Sequence, residues 1–196
     1  MEGVAADAVV VDLDGTVWDS APWYEALAVA SGNIPPQGLT AARLLKAVGF
    51  THKRFSTACA SGAPPLHVYP GITAALRRVS RYGVALGVVT NLPGWMAKPM
   101  LAAAGLAELL PQVVDYGATT RRKPNPDPLL EVCRRLGCRP QDAWYVGDSP
   151  DDAQAAIAAG MCFAWASWGY APEAPVGAHR VLDRPEDIGG LLQERR

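Results

Sequence analysis

The sequence predicts an α/β fold, a parallel sheet core with a small helical segment inserted near its beginning. Three observations carry this. Five short apolar runs have the length and near-continuous apolarity of parallel strands buried on both faces. Amphipathic helical patterns lie between them, the alternation that right-handed crossovers require. One interval, residues 18–69, breaks the rhythm: it shows helical patterns and no convincing strand.

The first run, Ala8 to Val11, ends at Asp12. The second, Val84 to Val89, ends in Thr90-Asn91, and a weaker third spans Gln112 to Tyr116. Ala143 to Val146 is the fourth, ending in Gly147-Asp148, and Met161 to Ala166 the fifth. Of the helices, Ile72 to Arg81 places Ile72, Ala75, Leu76 and Val79 on one face, and Trp95 to Ala104 repeats the pattern. Asp127 to Leu136 directs Leu129, Leu130, Val132, Cys133 and Leu136 toward a core, with Gly137 as its stop signal. Ala153 to Ala159 ends at Gly160 in the same way, and Leu182 to Leu192 adds a last helix that begins near Pro185. Within the interval, Ala21 to Val29 and Leu39 to Val48 are helical, with a less regular stretch from His52 to Ala60. The expected division is therefore a core of residues 1–17 and 70–196 and a cap of residues 18–69.

Composition narrows the function classes. The chain has 196 residues, 49% hydrophobic and 19% charged, with net charge −1. Nothing in that balance points to nucleic acid or an anionic membrane. The apolar runs are too short to span a bilayer. The start, MEGVAADAVVV, lacks a basic n-region and does not read as a secretory signal. Cys59, Cys133, Cys138 and Cys162 form no CxxC and do not cluster with histidines, so the expected setting is cytoplasmic with reduced thiols.

The stretch VVVDLDGTVWDS poses the chemical question. An apolar strand ends in two carboxylates one residue apart, and buried charge is costly. In open α/β sheets the ligand crevice lies beyond the carboxyl ends of the strands. Asp12, Thr90 and Asp148 all follow predicted strands, and Arg121-Arg122-Lys123 follows the third. Several carboxylates at one sheet edge become tolerable when a cation offsets their repulsion.

These pieces resemble the haloacid dehalogenase superfamily, in its phosphatase branch. VVVDLDGT, VVTN at Val88 to Asn91, RKPNPDP at Arg122 to Pro128 and VGDSPDD at Val146 to Asp152 stand in that family's order, with room for a helical cap between the first two. YPGITAALRRVSRYGVALGVVTN, WGY at Trp168 to Tyr170 and VLDRPEDIGGLL resemble the phosphoglycolate phosphatase-like members. The resemblance implies a HAD-like, Rossmann-like core and an Mg²⁺-dependent phosphatase that works through an aspartyl-phosphate. It implies Asp12 as nucleophile and Asp14 as acid and base. Thr90, Asn91 and Lys123 would then bind and stabilise the phosphoryl group. The metal ligands would be Asp12, the backbone carbonyl of Asp14, Asp148 and Asp152, the last directly or through water. Thr16 is expected to brace the loop, Asp19 to bond the loop or cap the next helix, Ser149 to touch the ion's water shell and Asp151 to face solvent.

Specificity is expected in the cap, from among Trp18, Trp23, Tyr24, Arg43, Lys46, His52, Lys53 and Arg54. A substrate carboxylate would fall to the His52, Lys53 and Arg54 cluster. The expected partner is a small phosphorylated metabolite, handled by a monomer or homodimer. Phosphomutase or phosphotransferase chemistry, and phosphatase action on a protein or nucleotide, remain alternatives. A non-enzymatic regulatory module is disfavoured by the intact acidic positions. Trp165 and Trp168 flank Ser167 at the end of the fifth strand, where they could border the crevice.

Overall fold

The structure, a computed structural model, describes residues 6–30 and 66–193. Its centre is a six-stranded parallel sheet. The strands are β1 (Ala8–Val11), β4 (Ala85–Val89), β5 (Gln112–Val114), β6 (Ala143–Gly147), β7 (Cys162–Ala166) and β8 (Arg180–Leu182), in the spatial order β5-β4-β1-β6-β7-β8. β2 (Trp18–Asp19) and β3 (His67–Val68) pair separately and antiparallel. The helices are α1 (Ala21–Ala30), α2 (Ile72–Arg81), α3 (Gly94–Ala103), α4 (Asp127–Leu136) and α5 (Pro150–Ala159).

β1 reads as continuously apolar because it is the central strand. Val9 and Val11 enter one hydrophobic cluster with α2 and α3, and Ala8 and Val10 enter a second with α4 and α5. A strand covered on both faces has no solvent side to mark with polar residues. Its register aligns Val11 with Val88 on one side and Val146 on the other. The residues that follow these strands therefore emerge at one edge of the sheet, which sets out the site.

The boundaries of α2 and α4 fall where the periodicity puts them. Four differences from the sequence reading have physical causes. Leu130 is not in the core: it is 45% exposed, because the stripe of Leu129, Val132 and Cys133 turns it outward. α5 begins at Pro150 rather than Ala153, since Ser149 caps it and Pro150 fits the first helical position. The last segment is a 3₁₀ helix, Pro185–Gln193, not an α-helix; the Gly189-Gly190 pair is a poor α-helix former. Leu182, expected in that helix, instead ends the edge strand β8.

The expectation of no strand between Asp14 and Ile72 is also corrected. β2 and β3, two residues each, pair where the chain leaves and rejoins the core. α1 begins directly after β2 and opens the helical cap. The expected helix at Leu39 to Val48, the stretch His52 to Ala60, Cys59, and the candidates Arg43, Lys46, His52, Lys53 and Arg54 lie outside the described residues.

Candidate active site

Asp12 follows β1 and is buried, as are Thr90 after β4, Asp148 after β6, Asp152 in the first turn of α5, and Lys123 in the loop between β5 and α4. Asp12, Asp148 and Asp152 each present a carboxylate oxygen within 4.8 Å of the others. Lys123 Nζ lies 2.9 Å from Asp12 Oδ1 and 2.6 Å from Asp152 Oδ1. The sheet edge thus gathers carboxylates around one ammonium group.

The supports of each group are specific. Asp148 accepts from the backbone N–H of Tyr170 at 2.8 Å and from the hydroxyl of Thr16 at 3.4 Å. Its backbone carbonyl accepts from Trp165 Nε1 at 3.2 Å. Trp168 Nε1 donates to the Thr16 carbonyl at 3.0 Å, so Thr16 braces the loop at both ends. Asp152 is enclosed more completely. Oδ1 accepts from Lys123 and from the Tyr145 phenol, and Oδ2 accepts from the Ser149 amide at 3.0 Å and its hydroxyl at 2.6 Å. Ser149 is therefore the N-cap of α5 in a reciprocal capping box. Asp151 faces solvent, as expected.

Asp14 is oriented by aromatic donors. Trp18 Nε1 donates to Oδ1 at 2.9 Å, and the Tyr24 hydroxyl to Oδ2 at 3.4 Å. Trp18, Trp23 and Tyr24, considered for substrate recognition, are all buried in the core cluster. Thr90 Oγ1 accepts from the amide of Leu92 at 3.1 Å, which leaves its hydroxyl proton to donate elsewhere. Asn91 Nδ2 donates to the Lys123 carbonyl at 3.2 Å and steadies the lysine loop. Arg121 pairs with Asp127 at 3.1 Å, and Arg122 stacks 3.3 Å above the Tyr116 ring centre, so both arginines have partners within the chain. Asp19 Oδ1 accepts from Ala21 N–H at 3.0 Å, the capping role.

Burial pushes Asp12 well above the usual carboxylate range; Lys123 opposes this, and the charges of Asp152 and Asp148 add to it. Burial, then repulsion from Asp152, raises Asp148 to about 7. Asp14 is raised by burial, against the hydrogen bonds of Trp18, Ser20 and Tyr24. Burial alone would lower Lys123, but Asp12 and Asp152 hold it above its ordinary value. The cluster is short of positive charge. A divalent cation corrects that deficit, and the all-oxygen donor set fits Mg²⁺. Glycine makes room at the same place: a Cβ on Gly15, whose φ is +81°, or on Gly169 would run into the Asp148 side chain.

Sequence reasoning did not single out Tyr145, and it weighed Trp18 and Tyr24 for substrate recognition rather than as partners of Asp14. The signal for Tyr145 was present. A phenol inside a doubly buried strand must have a hydrogen-bond partner, and the partners available at a strand exit are the site residues.

The fold and this cluster define a hydrolase class, and residues 50–166 match the haloacid dehalogenase-like hydrolase family. The chain belongs to that family. It is 35% identical to the phosphoglycolate phosphatase of Rhodospirillum rubrum, covering 94% of this chain and 90% of that protein. It is 30% identical to the N-acetylmuramic acid 6-phosphate phosphatase of Pseudomonas aeruginosa, covering 98% and 97%. A HAD-superfamily hydrolase of Geobacter sulfurreducens superposes with a TM-score of 0.70 at 25% identity, covering 97% of this chain and 98% of that one. With the family goes the activity class: an Mg²⁺-dependent phosphatase that hydrolyses a small phosphorylated metabolite through an aspartyl-phosphate. Among the described residues no helix is long and apolar enough to cross a membrane.

Proposed function

We propose that Asp12 is the nucleophile, Asp14 the acid and base, and Thr90, Asn91 and Lys123 the groups that receive the phosphoryl oxygens. The observation that carries this reading is the 2.9 Å contact between Lys123 Nζ and Asp12 Oδ1 at the rim of the carboxylate cluster. The lysine lies where it can neutralise both the nucleophile and the arriving phosphate. Asp12 and Asp148 would hold Mg²⁺ through their side chains, joined by the Asp14 carbonyl. Asp152 already accepts four donors, so its part is negative charge, or a contact through water. The cation, when bound, lowers the repulsion between Asp12 and the phosphate and stabilises charge on the transferring group.

In the first half-reaction a carboxylate oxygen of Asp12 forms a bond to phosphorus as the ester P–O bond breaks. Asp14 gives its proton to the departing alkoxide. In the second, Asp14 takes a proton from water, whose oxygen bonds to phosphorus. The phosphorus–Asp12 bond breaks, and inorganic phosphate leaves with Asp12 and Asp14 restored. Burial of Asp14 favours the protonated form that the first step needs.

The substrate we propose is a small phosphate monoester that also carries a carboxylate. The two relatives' names support this class: phosphoglycolate and N-acetylmuramic acid 6-phosphate both contain a carboxylate. Segment 18–69 would serve as the cap, with His52, Lys53 and Arg54 as candidate partners of that carboxylate. A monomer or homodimer working in the cytoplasm, without nucleic acid, is the setting we propose, in line with the net charge of −1 and four cysteines that form no CxxC.

The test is phosphate release from a panel of phosphorylated metabolites, with Mg²⁺ and with chelator. The expected result is metal-dependent release, with a phosphorylated carboxylic acid far ahead of neutral sugar phosphates. Equal release from both groups would remove the carboxylate. Transfer to a second sugar hydroxyl, in place of release, would establish a mutase.

A further inference from the structure

We infer that Tyr145 is a positioning residue for the reaction: its buried phenol takes one of the three donors of Lys123 and so fixes the direction in which the ammonium faces Asp12. The inference rests on the phosphatase reading above and adds a residue to it.

The placement begins in β6. Alternation along this strand sends Trp144 and Val146 into the cluster under α2 and α3, and Ala143 and Tyr145 into the cluster under α4 and α5. Tyr145 is fully buried among apolar neighbours, including Phe163, whose ring centre is 6.3 Å away. A phenylalanine would supply the same ring. The hydroxyl must therefore be satisfied locally, because an unpaired buried phenol is costly.

It is satisfied by the site. Lys123 Nζ lies 2.8 Å from the phenol oxygen, Asp152 Oδ1 2.9 Å and the Val89 carbonyl 3.2 Å. A lysine ammonium only donates, so the phenol oxygen accepts from it. The single phenol proton then goes to Asp152 Oδ1, the nearer and charged acceptor, or to Val89. Lys123, Tyr145 and Asp152 form a closed triangle whose third side is the 2.6 Å contact of Lys123 to Asp152.

Donor arithmetic gives the triangle its consequence. Lys123 has three N–H bonds and three partners: Asp152, Tyr145 and Asp12. An ammonium on a flexible four-carbon stem otherwise rotates freely. Two partners behind it, one on a helix and one on a strand, leave the third N–H aimed at Asp12, where a phosphoryl oxygen beside that carboxylate can share it. The phenol oxygen also sits 3.2 Å from the carbonyl oxygen of Val89, the residue before Thr90 at the end of β4. The phenol thus sets the lysine relative to the groups proposed to bind phosphate, without needing to touch substrate.

The inference predicts a particular kinetic signature. Lys123 acts on the transferring phosphoryl group, whereas Asp14 acts on the leaving group. Loss of the Tyr145 hydroxyl should slow good and poor leaving groups alike. The experiment compares wild type and Tyr145→Phe on p-nitrophenyl phosphate and phenyl phosphate with saturating Mg²⁺. The expected result is a kcat about tenfold lower on both esters, the scale of losing a group that orients an active residue. KM should stay within about twofold. In a Lys123→Met background the same substitution should cost nothing further, since its effect passes through the lysine.

An unchanged kcat in folded Tyr145→Phe overturns the inference while leaving the phosphatase reading intact. So does an undiminished loss in the Lys123→Met background. Wild type that hydrolyses neither ester nor any metabolite overturns both. A measurement on wild type removes dependence on the variant's folding. With ¹⁵N-labelled lysine, one of the four lysines should show slowly exchanging, rotationally hindered Nζ protons that disappear in Lys123→Met. A Lys123 ammonium in fast exchange and free rotation would overturn the inference.

Discussion

The backbone N–H of Tyr170 donates to Oδ2 of Asp148 at 2.8 Å, so the loop after β7 directly orients a proposed metal ligand. The other end of the same residue reaches the start of the cap. Its phenol oxygen lies 2.8 Å from Ser20 N, 3.2 Å from Ala21 N and 3.0 Å from Asp19 Oδ1. A side chain from the core therefore caps α1. Tyr170→Phe keeps the backbone contact and removes the cap. It should destabilise the protein by about 1 kcal/mol and leave Mg²⁺ affinity within about twofold. Chemical denaturation and Mg²⁺ titration calorimetry check this. A large loss of Mg²⁺ affinity would mean that the phenol also holds the Asp148 loop.

Gly15→Ala should damage the metal site. Gly15 has a positive φ, and the added Cβ would meet the Asp148 carboxylate. The expected outcome is Mg²⁺ binding weakened by about tenfold or more, the scale of disturbing a ligand's support. Calorimetric titration reads it without reference to turnover.

Asp12→Asn should abolish turnover, by about 10³-fold or more, with cooperative unfolding retained. The substitution is close to isosteric and removes one of several buried carboxylates that repel one another. A steady-state assay beside a thermal melt tests it. Turnover near that of wild type would move the nucleophile elsewhere.

Asp14→Asn should separate substrates by leaving group. Hydrolysis of an alkyl phosphate should fall about 10²-fold, while p-nitrophenyl phosphate, which needs no proton on departure, should lose much less in the first half-reaction. Burst kinetics isolate that step. Equal losses on the two substrates would remove the acid role.

Removal of divalent metal should lower the protein's own stability as well as its rate. Burial and repulsion raise Asp12 and Asp148 above the usual carboxylate range, so their ionised forms are unfavourable in the folded chain. A cation that offsets their charge stabilises the native state by mass action. The melting temperature should rise with Mg²⁺ and fall with chelator. No response would place the ion elsewhere.

Much of this arrangement can be read directly from the chain. β1 is plain because both faces are covered, and α2 because Ile72, Ala75, Leu76 and Val79 repeat at helical spacing. Asp12, Thr90 and Asp148 are plain because each polar residue ends an apolar run. What stays hidden depends on contacts distant in sequence. β8 has two exposed residues out of three and no apolar run, as suits an edge. β2 and β3 are two residues each, and only their pairing across the insertion makes them strands. Trp18, Tyr24, Tyr145 and Tyr170 look like ordinary core aromatics. Their hydroxyl and indole groups gain a role only when the fold turns a carboxylate toward each: Asp14 toward Trp18 and Tyr24, Asp152 toward Tyr145, and Asp19, 151 residues away, toward Tyr170.

The pairing of β2 with β3 also bears on how such an enzyme can diversify. Trp18 stands opposite Val68, and Asp19 opposite His67, so the chain departs from and returns to the core at neighbouring points. A segment spliced in at a single socket can lengthen, shorten or be exchanged while the spacing of Asp12, Lys123 and Asp148 is kept by the sheet. Loop-closure cost rises only slowly with length. Selection can then retune substrate choice in one stretch of sequence without reopening the chemistry fixed in another.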